Sequence, residues 1–142
     1  MKKVLIAVFS ILLCFGSVFC FTSCKEEQEK VKTNVDINIA AMNKTMAYST
    51  LYEIQTRPYE YEGKTIKVKG VFSRESFKGG SKVIHCFIDV YDSANCCSAW
   101  TTFVWNGDLP KRGAETTVTG VVQVKKENGN EYPEIQAVSV KF

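Results

Sequence analysis

The chain has 142 residues, 45% of them hydrophobic, which is enough for one small domain with a modest core. Its formal net charge of +3 falls to +1 once Lys2 and Lys3 leave with an N-terminal leader. That balance excludes nucleic acid as a partner, because such binding depends on a clear excess of cations to neutralise phosphates.

Met1-Lys2-Lys3 is a cationic start, and Val4 to Phe21 is an apolar run, the pattern of a secretory signal. The run is also nearly long enough for an uncleaved membrane anchor. Phe21-Thr22-Ser23-Cys24 puts small residues directly before a cysteine, which resembles the lipobox of bacterial lipoproteins. The resemblance implies a signal peptide over residues 1–23 and palmitate-type lipidation at Cys24. It also implies an extracytoplasmic location, on the cell membrane or the outer membrane. Residues 24–34 are polar, of mixed charge and without aromatics, so they read as a tether.

The domain proper spans 35–142. Val35 to Ile39 alternates and reads as a short strand or an extended lead-in. Ala47, Leu51 and Ile54 share a helical face, widened by Tyr48 and Tyr52, which predicts an amphipathic helix from Asn43 to Thr56. Thr50-Leu51-Tyr52-Glu53 is a possible internal capping box that would start the helix later, and Arg57-Pro58 ends it.

Strands follow at Lys64–Ser73, Lys82–Tyr91, Cys96–Trp105, Glu115–Lys126 and Tyr132–Phe142. Arg74–Ser81, containing Lys78-Gly79-Gly80-Ser81, reads as a loop. Asp92–Asn95 reads as a turn, and Glu127-Asn128-Gly129-Asn130 as a hairpin turn. The stretch from Gly63 repeats its frame from Gly113, with Val68 matching Val118 and Gly70 matching Gly120. Five strands, one N-terminal helix and glycines where strands must bend predict a mainly β fold, a small OB-like barrel. An open antiparallel sheet with a packed helix is the alternative.

Met42-Asn43-Lys44-Thr45-Met46-Ala47-Tyr48, Pro58-Tyr59-Glu60-Tyr61-Glu62-Gly63-Lys64, and Cys86 followed by Asn95-Cys96-Cys97 carry a further resemblance. Together they are similar to a group of exported bacterial lipoproteins of unassigned activity with an OB-like barrel domain. In that group a Pro-x-x-Tyr-x-Gly-Lys turn leads into a Val-x-Gly strand, and a Cys-Cys pair follows the second strand. A similar pair occurs in the extracytoplasmic domains of permease partner proteins. The resemblance implies fold and compartment and carries no activity.

Outside the cytoplasm thiols are oxidised, and Cys86, Cys96 and Cys97 are an odd number. Four readings stay open: a disulfide from Cys86 to one of the pair, buried thiols acting as small hydrophobes, a metal or reactive-thiol site, and a vicinal Cys96-Cys97 bridge. His85, Cys86, Cys96 and Cys97 supply enough donors for tetrahedral zinc, although His85 and Cys86 are strand neighbours facing opposite ways. His85 is the sole histidine, with Asp89 the nearby carboxylate on its face, so no catalysis is expected.

In OB-like barrels ligands lie on the second and third strands and on the loops beside them. This makes Phe87, Tyr91, Trp100, Lys78 and Lys125 the candidate ligand face, with Lys82 and Lys126 at its rim. The expected function is a lipid-anchored binding or accessory module without catalytic activity or cofactor. Its partners would be the membrane, through the anchor, and an envelope protein, peptide or glycan. The alternative is a thiol-based metal-binding or redox protein using Cys86, Cys96 and Cys97.

Overall fold

The computed structural model describes residues 34–76 and 84–142. The expected leader, Cys24, the expected tether up to residue 33, Phe77 and the expected loop segment holding Lys78 and Lys82 lie outside the described residues. Among the described residues the elements are β1 (Ile37–Asn38), α1 (Lys44–Thr56), β2 (Thr65–Ser76), β3 (Ile84–Tyr91), β4 (Ser98–Val104), β5 (Glu115–Glu127) and β6 (Asn130–Lys141).

Alternating side chains give each long strand one dry face, and a sheet dry on one face must cover it. Here the sheet closes on itself. β2 pairs antiparallel with β3 on one side and with β5 on the other. β3–β4 and β5–β6 are antiparallel, and β4–β6 is a short parallel pair. The order β2-β3-β4-β6-β5 returns to β2, which makes a closed five-stranded barrel and leaves no open sheet. β1 adds a parallel pair, Ile37 opposite Ile66. It occupies the edge of β2 that β3, whose pairing starts at Val71, does not reach.

The repeated stretches are β2 and β5, and they are neighbours, with Val68 directly opposite Val118. Gly70 and Gly120 sit where backbones cross closely. A Cβ at Gly70 would lie 2.5 Å from the Asp89 carbonyl oxygen and 2.8 Å from Ile88 Cγ2, and one at Gly120 would collide with the Gln136 carbonyl oxygen. The β5–β6 register also shifts between Thr119 and Gly120, the kind of bulge that lets a strand turn a barrel corner.

Helix α1 begins at Lys44 because the Asn43 side chain accepts a hydrogen bond from the Met46 amide at 3.0 Å. The internal Thr50 box is therefore unused. Ala47, Leu51 and Ile54 are buried with Ile66, Val68, Phe72, Ile88, Phe103, Val118, Val122 and Ile135 in one cluster. The helix packs on β4, β3 and β6, so its apolar stripe is part of the barrel's own core. Tyr48 lies against that core, while Tyr52 points outward and stacks on Tyr48 with ring centroids 6.1 Å apart.

Several boundaries differ from expectation. β2 continues through Ser76, paired with Ile84, because the β2–β3 hairpin is longer than the polar composition after Arg74 suggests. β6 starts at Asn130, two residues before the expected Tyr132, since the hairpin turn occupies only Asn128 and Gly129. β4 starts at Ser98 and ends at Val104, which places Cys96 and Cys97 in the preceding turn. The Asp92 carboxylate accepts the Cys96 amide at 3.0 Å, and Asn95 adopts φ 55°, so the backbone there turns instead of pairing.

Two outcomes test this packing by denaturant titration. Leu51→Ala should cost about 2–5 kcal/mol, whereas Met46→Ala, 55% exposed on the same helix, should be close to neutral. Gly120→Ala should cost roughly 1–3 kcal/mol, since its methyl group meets backbone that cannot move aside.

Candidate functional site

In β3, burial alternates so that Cys86, Ile88 and Val90 face the core, while His85, Phe87, Asp89 and Tyr91 face outward. Register sets Asp89 opposite Trp100 and Phe87 opposite Thr102. The result is an outward aromatic row: Phe87 and Trp100 meet edge to face at 5.6 Å, and His85 and Phe87 lie 6.4 Å apart. Tyr91 is 41% exposed at the strand end. Ser73 Oγ donates to Asp89 Oδ2 at 2.7 Å. Asp89 lies four residues along the strand from His85, about 13 Å, too far to orient it as a catalytic partner.

A cavity of about 610 Å³ opens at the far end of β4, within the size range of small-ligand sites. His85 and Val104 come to it from β3 and β4, Trp105 from the following loop, and Lys125, Tyr132 and Glu134 from the β5–β6 hairpin. Thus Lys125 is brought to a concavity, while Phe87, Trp100 and Tyr91 lie outside it on the strand surface, Tyr91 at the opposite end of β3.

The cavity wall is held by paired polar groups. Glu134 is only 7% exposed; Gln136 Nε2 donates to its Oε1 at 2.9 Å, and Lys125 Nζ lies 3.5 Å from the same oxygen. The Tyr132 hydroxyl donates to Glu127 at 2.8 Å, and burial followed by that carboxylate pushes its pKa up to about 12. Pro133, which lacks an N–H, carries a carbonyl that accepts from both Thr101 and Thr102 hydroxyls at 3.2 Å. The Trp105 indole donates to the Asp108 carbonyl at 3.2 Å, which ties the loop after β4. A ligand would meet a carboxylate, an ammonium and aromatic surface already fixed in place.

The three cysteines do not converge. Cys86 faces the interior opposite Phe103, and burial raises its pKa. Cys96 and Cys97 are exposed in the turn beyond Tyr91. Five strand residues, about 17 Å, separate Cys86 from the start of that turn, well outside the reach of a disulfide or a shared metal. His85, beside Cys86, is equally distant.

The group that does converge on Cys96 and Cys97 is Asp92. Cys96 Sγ donates to Asp92 Oδ2 at 3.2 Å and lies 3.7 Å from Cys97 Sγ, and all three cysteines are free thiols. Asp92 Oδ1 takes the Cys96 amide at 3.0 Å and the Cys97 amide at 3.5 Å. The donated thiol hydrogen bond holds the Asp92 carboxyl below its ordinary range. The same carboxylate, followed by Cys97, pushes the Cys96 thiol up to about 11.

Sequence reasoning did not single out Glu134 or Asp92. A Thr-Thr pair and a strand proline, Thr101-Thr102 and Pro133, were the available signal for the first. An Asp four residues before an adjacent Cys-Cys pair was the signal for the second. No family model matches this chain, and a search of curated proteins finds no match.

Because the carboxylate disfavours the thiolate, Cys96 should alkylate slowly at pH 8 and faster as pH rises toward 11. Asp92→Asn removes the opposing charge, lowers the thiol pKa and should speed alkylation at pH 8, which site-resolved mass spectrometry can follow.

Proposed function

We propose that this chain is a lipid-anchored, extracytoplasmic binding module built on an OB-like barrel, with no catalytic step of its own. The cavity carries this reading. It lies between the second and third barrel strands, β3 and β4, and the hairpin joining the fourth and fifth, β5 and β6. That is the region where OB-like barrels take their ligands. The strand order favours the same assignment: the first barrel strand pairs with the second and the fourth, and the third runs parallel to the fifth. The helix departs from the common arrangement, since α1 precedes the first barrel strand and a loop alone joins β4 to β5.

The mixed character of the wall suits an envelope peptide or glycan. Lys125 and the Glu134 edge match hydrogen-bonding and charged groups, while Trp105, Tyr132 and Val104 cover apolar surface. A polar tether from an acylated Cys24 would leave this face free to meet a partner near the membrane. Among the described residues no helix is long and apolar enough to cross a membrane.

The full processed chain, held in a lipid nanodisc, is screened against envelope peptides and cell-wall oligosaccharides. For any ligand found, Lys125→Glu and Trp105→Ala should each weaken binding at least about tenfold, and Met46→Ala should leave it unchanged. A ligand whose affinity survives both cavity substitutions removes the cavity from the reading.

A further inference from the structure

We propose that the β3–β4 turn is a binding site for a thiophilic divalent cation, zinc being the type case, held by Asp92, Cys96 and Cys97. This site is separate from the cavity: the two lie toward opposite ends of β4, and neither shares a residue with the other.

The donor atoms are already gathered. One oxygen of Asp92 and the two sulfurs lie within 4.8 Å of one another. Zinc bound to two thiolates at about 2.3 Å with a tetrahedral angle needs sulfurs about 3.8 Å apart, and the two here are 3.7 Å apart. A sulfur–oxygen edge of such a site is about 3.6 Å, against 3.2 Å between Cys96 Sγ and Asp92 Oδ2. Small side-chain rotations bring all three onto one ion.

Second contacts hold the arrangement. Asp92 Oδ1 is taken by the Cys96 and Cys97 amides, which aims Oδ2 at the sulfurs. The Asp92 amide donates to the Cys97 carbonyl at 3.0 Å, so the turn closes on itself. Lys44 Nζ donates to Asn95 Oδ1 at 3.3 Å and ties the turn to the start of α1.

On binding, each thiol gives its proton to solvent, and the ion gains two thiolates and one carboxylate oxygen. Three protein ligands leave a fourth position open for water or for a donor from a partner. Both cysteines are exposed, so the ion would exchange with solution. Coordination would also keep the two sulfurs from oxidation in an oxidising compartment.

The test uses cobalt(II) as the probe, added to the full processed chain after reduction and removal of metal. The expected result is one ion per chain, with thiolate-to-cobalt charge-transfer absorption and the visible bands of a tetrahedral site, displaced by zinc. Cys96→Ser and Cys97→Ser should each weaken that absorption at least tenfold, and Asp92→Asn should weaken binding by a similar factor. Cys86→Ser should leave it unchanged, with circular dichroism confirming the barrel in every variant. The proposal is overturned by the absence of a charge-transfer band in a chain whose Cys96 and Cys97 are shown to be reduced, or by a band that persists in the Cys96→Ser/Cys97→Ser double variant. Isolation of the native chain with a Cys96-Cys97 disulfide also overturns it.

Discussion

Closure of the sheet through the β2–β5 pairing is the constraint on which the rest of this structure depends. A five-stranded sheet with one apolar face has two exposed edges until its first strand finds a second partner. The run from Thr65–Val121 to Val71–Glu115 supplies that partner. Closure requires strands to bend over one another at short range, and Gly70 and Gly120 are the two places where backbone and β-branched side chains approach too closely for a Cβ. Removing the edges also removes the need for any second layer except at the barrel end, which Leu51 and Ile54 of α1 cover.

The same closure explains why the cavity and the donor cluster are found at the ends of β4 and not along its middle. Inside the barrel, Phe72 and Phe103 meet edge to face at 6.0 Å, and the Cys86 thiol opposite Phe103 is buried away from solvent. Outside it, strand surface is broad and flat, with Phe87 and Trp100 packed against each other. The cavity lies where strands diverge, between β4 and the projecting β5–β6 hairpin. Among the described residues, donors converge where the chain reverses, at Asp92 to Cys97. The cavity and the Asp92–Cys96–Cys97 cluster thereby lie about one strand length apart on the barrel frame.

Electrostatics separates the two ends further. At the cavity, opposite charges are paired: Lys125 with Glu134, and Lys126 with Glu131 at 2.8 Å. The exposed Lys126–Glu131 pair adds little to stability, whereas Glu134 is buried and its pairing with Lys125 is screened less by water. At the turn, like charges compete, and the carboxylate keeps the neighbouring thiol protonated until something of opposite charge replaces the proton. Cys96 is therefore a poor nucleophile by itself at neutral pH.

Much of the fold was legible in the residues themselves. Period-two alternation identified all five long strands, and the i, i+4, i+7 spacing of Ala47, Leu51 and Ile54 identified the one helix and its buried face, because these patterns report local geometry and one-sided burial. The glycine repeat marked the two strands that close the barrel, although only the register made them neighbours. The sites were less legible. Cys86 belonged with Cys96 and Cys97 by residue type alone, but alternation turned it inward and strand rise carried it about 17 Å from the turn. Glu134 is held by Gln136 and, across the hairpin, by Lys125, and Asp92 by an amide turn, contacts that composition does not record. Local periodicity is written into successive residues; which side chains meet depends on register, closure and chain reversal, and those were decided only when the sheet folded onto itself.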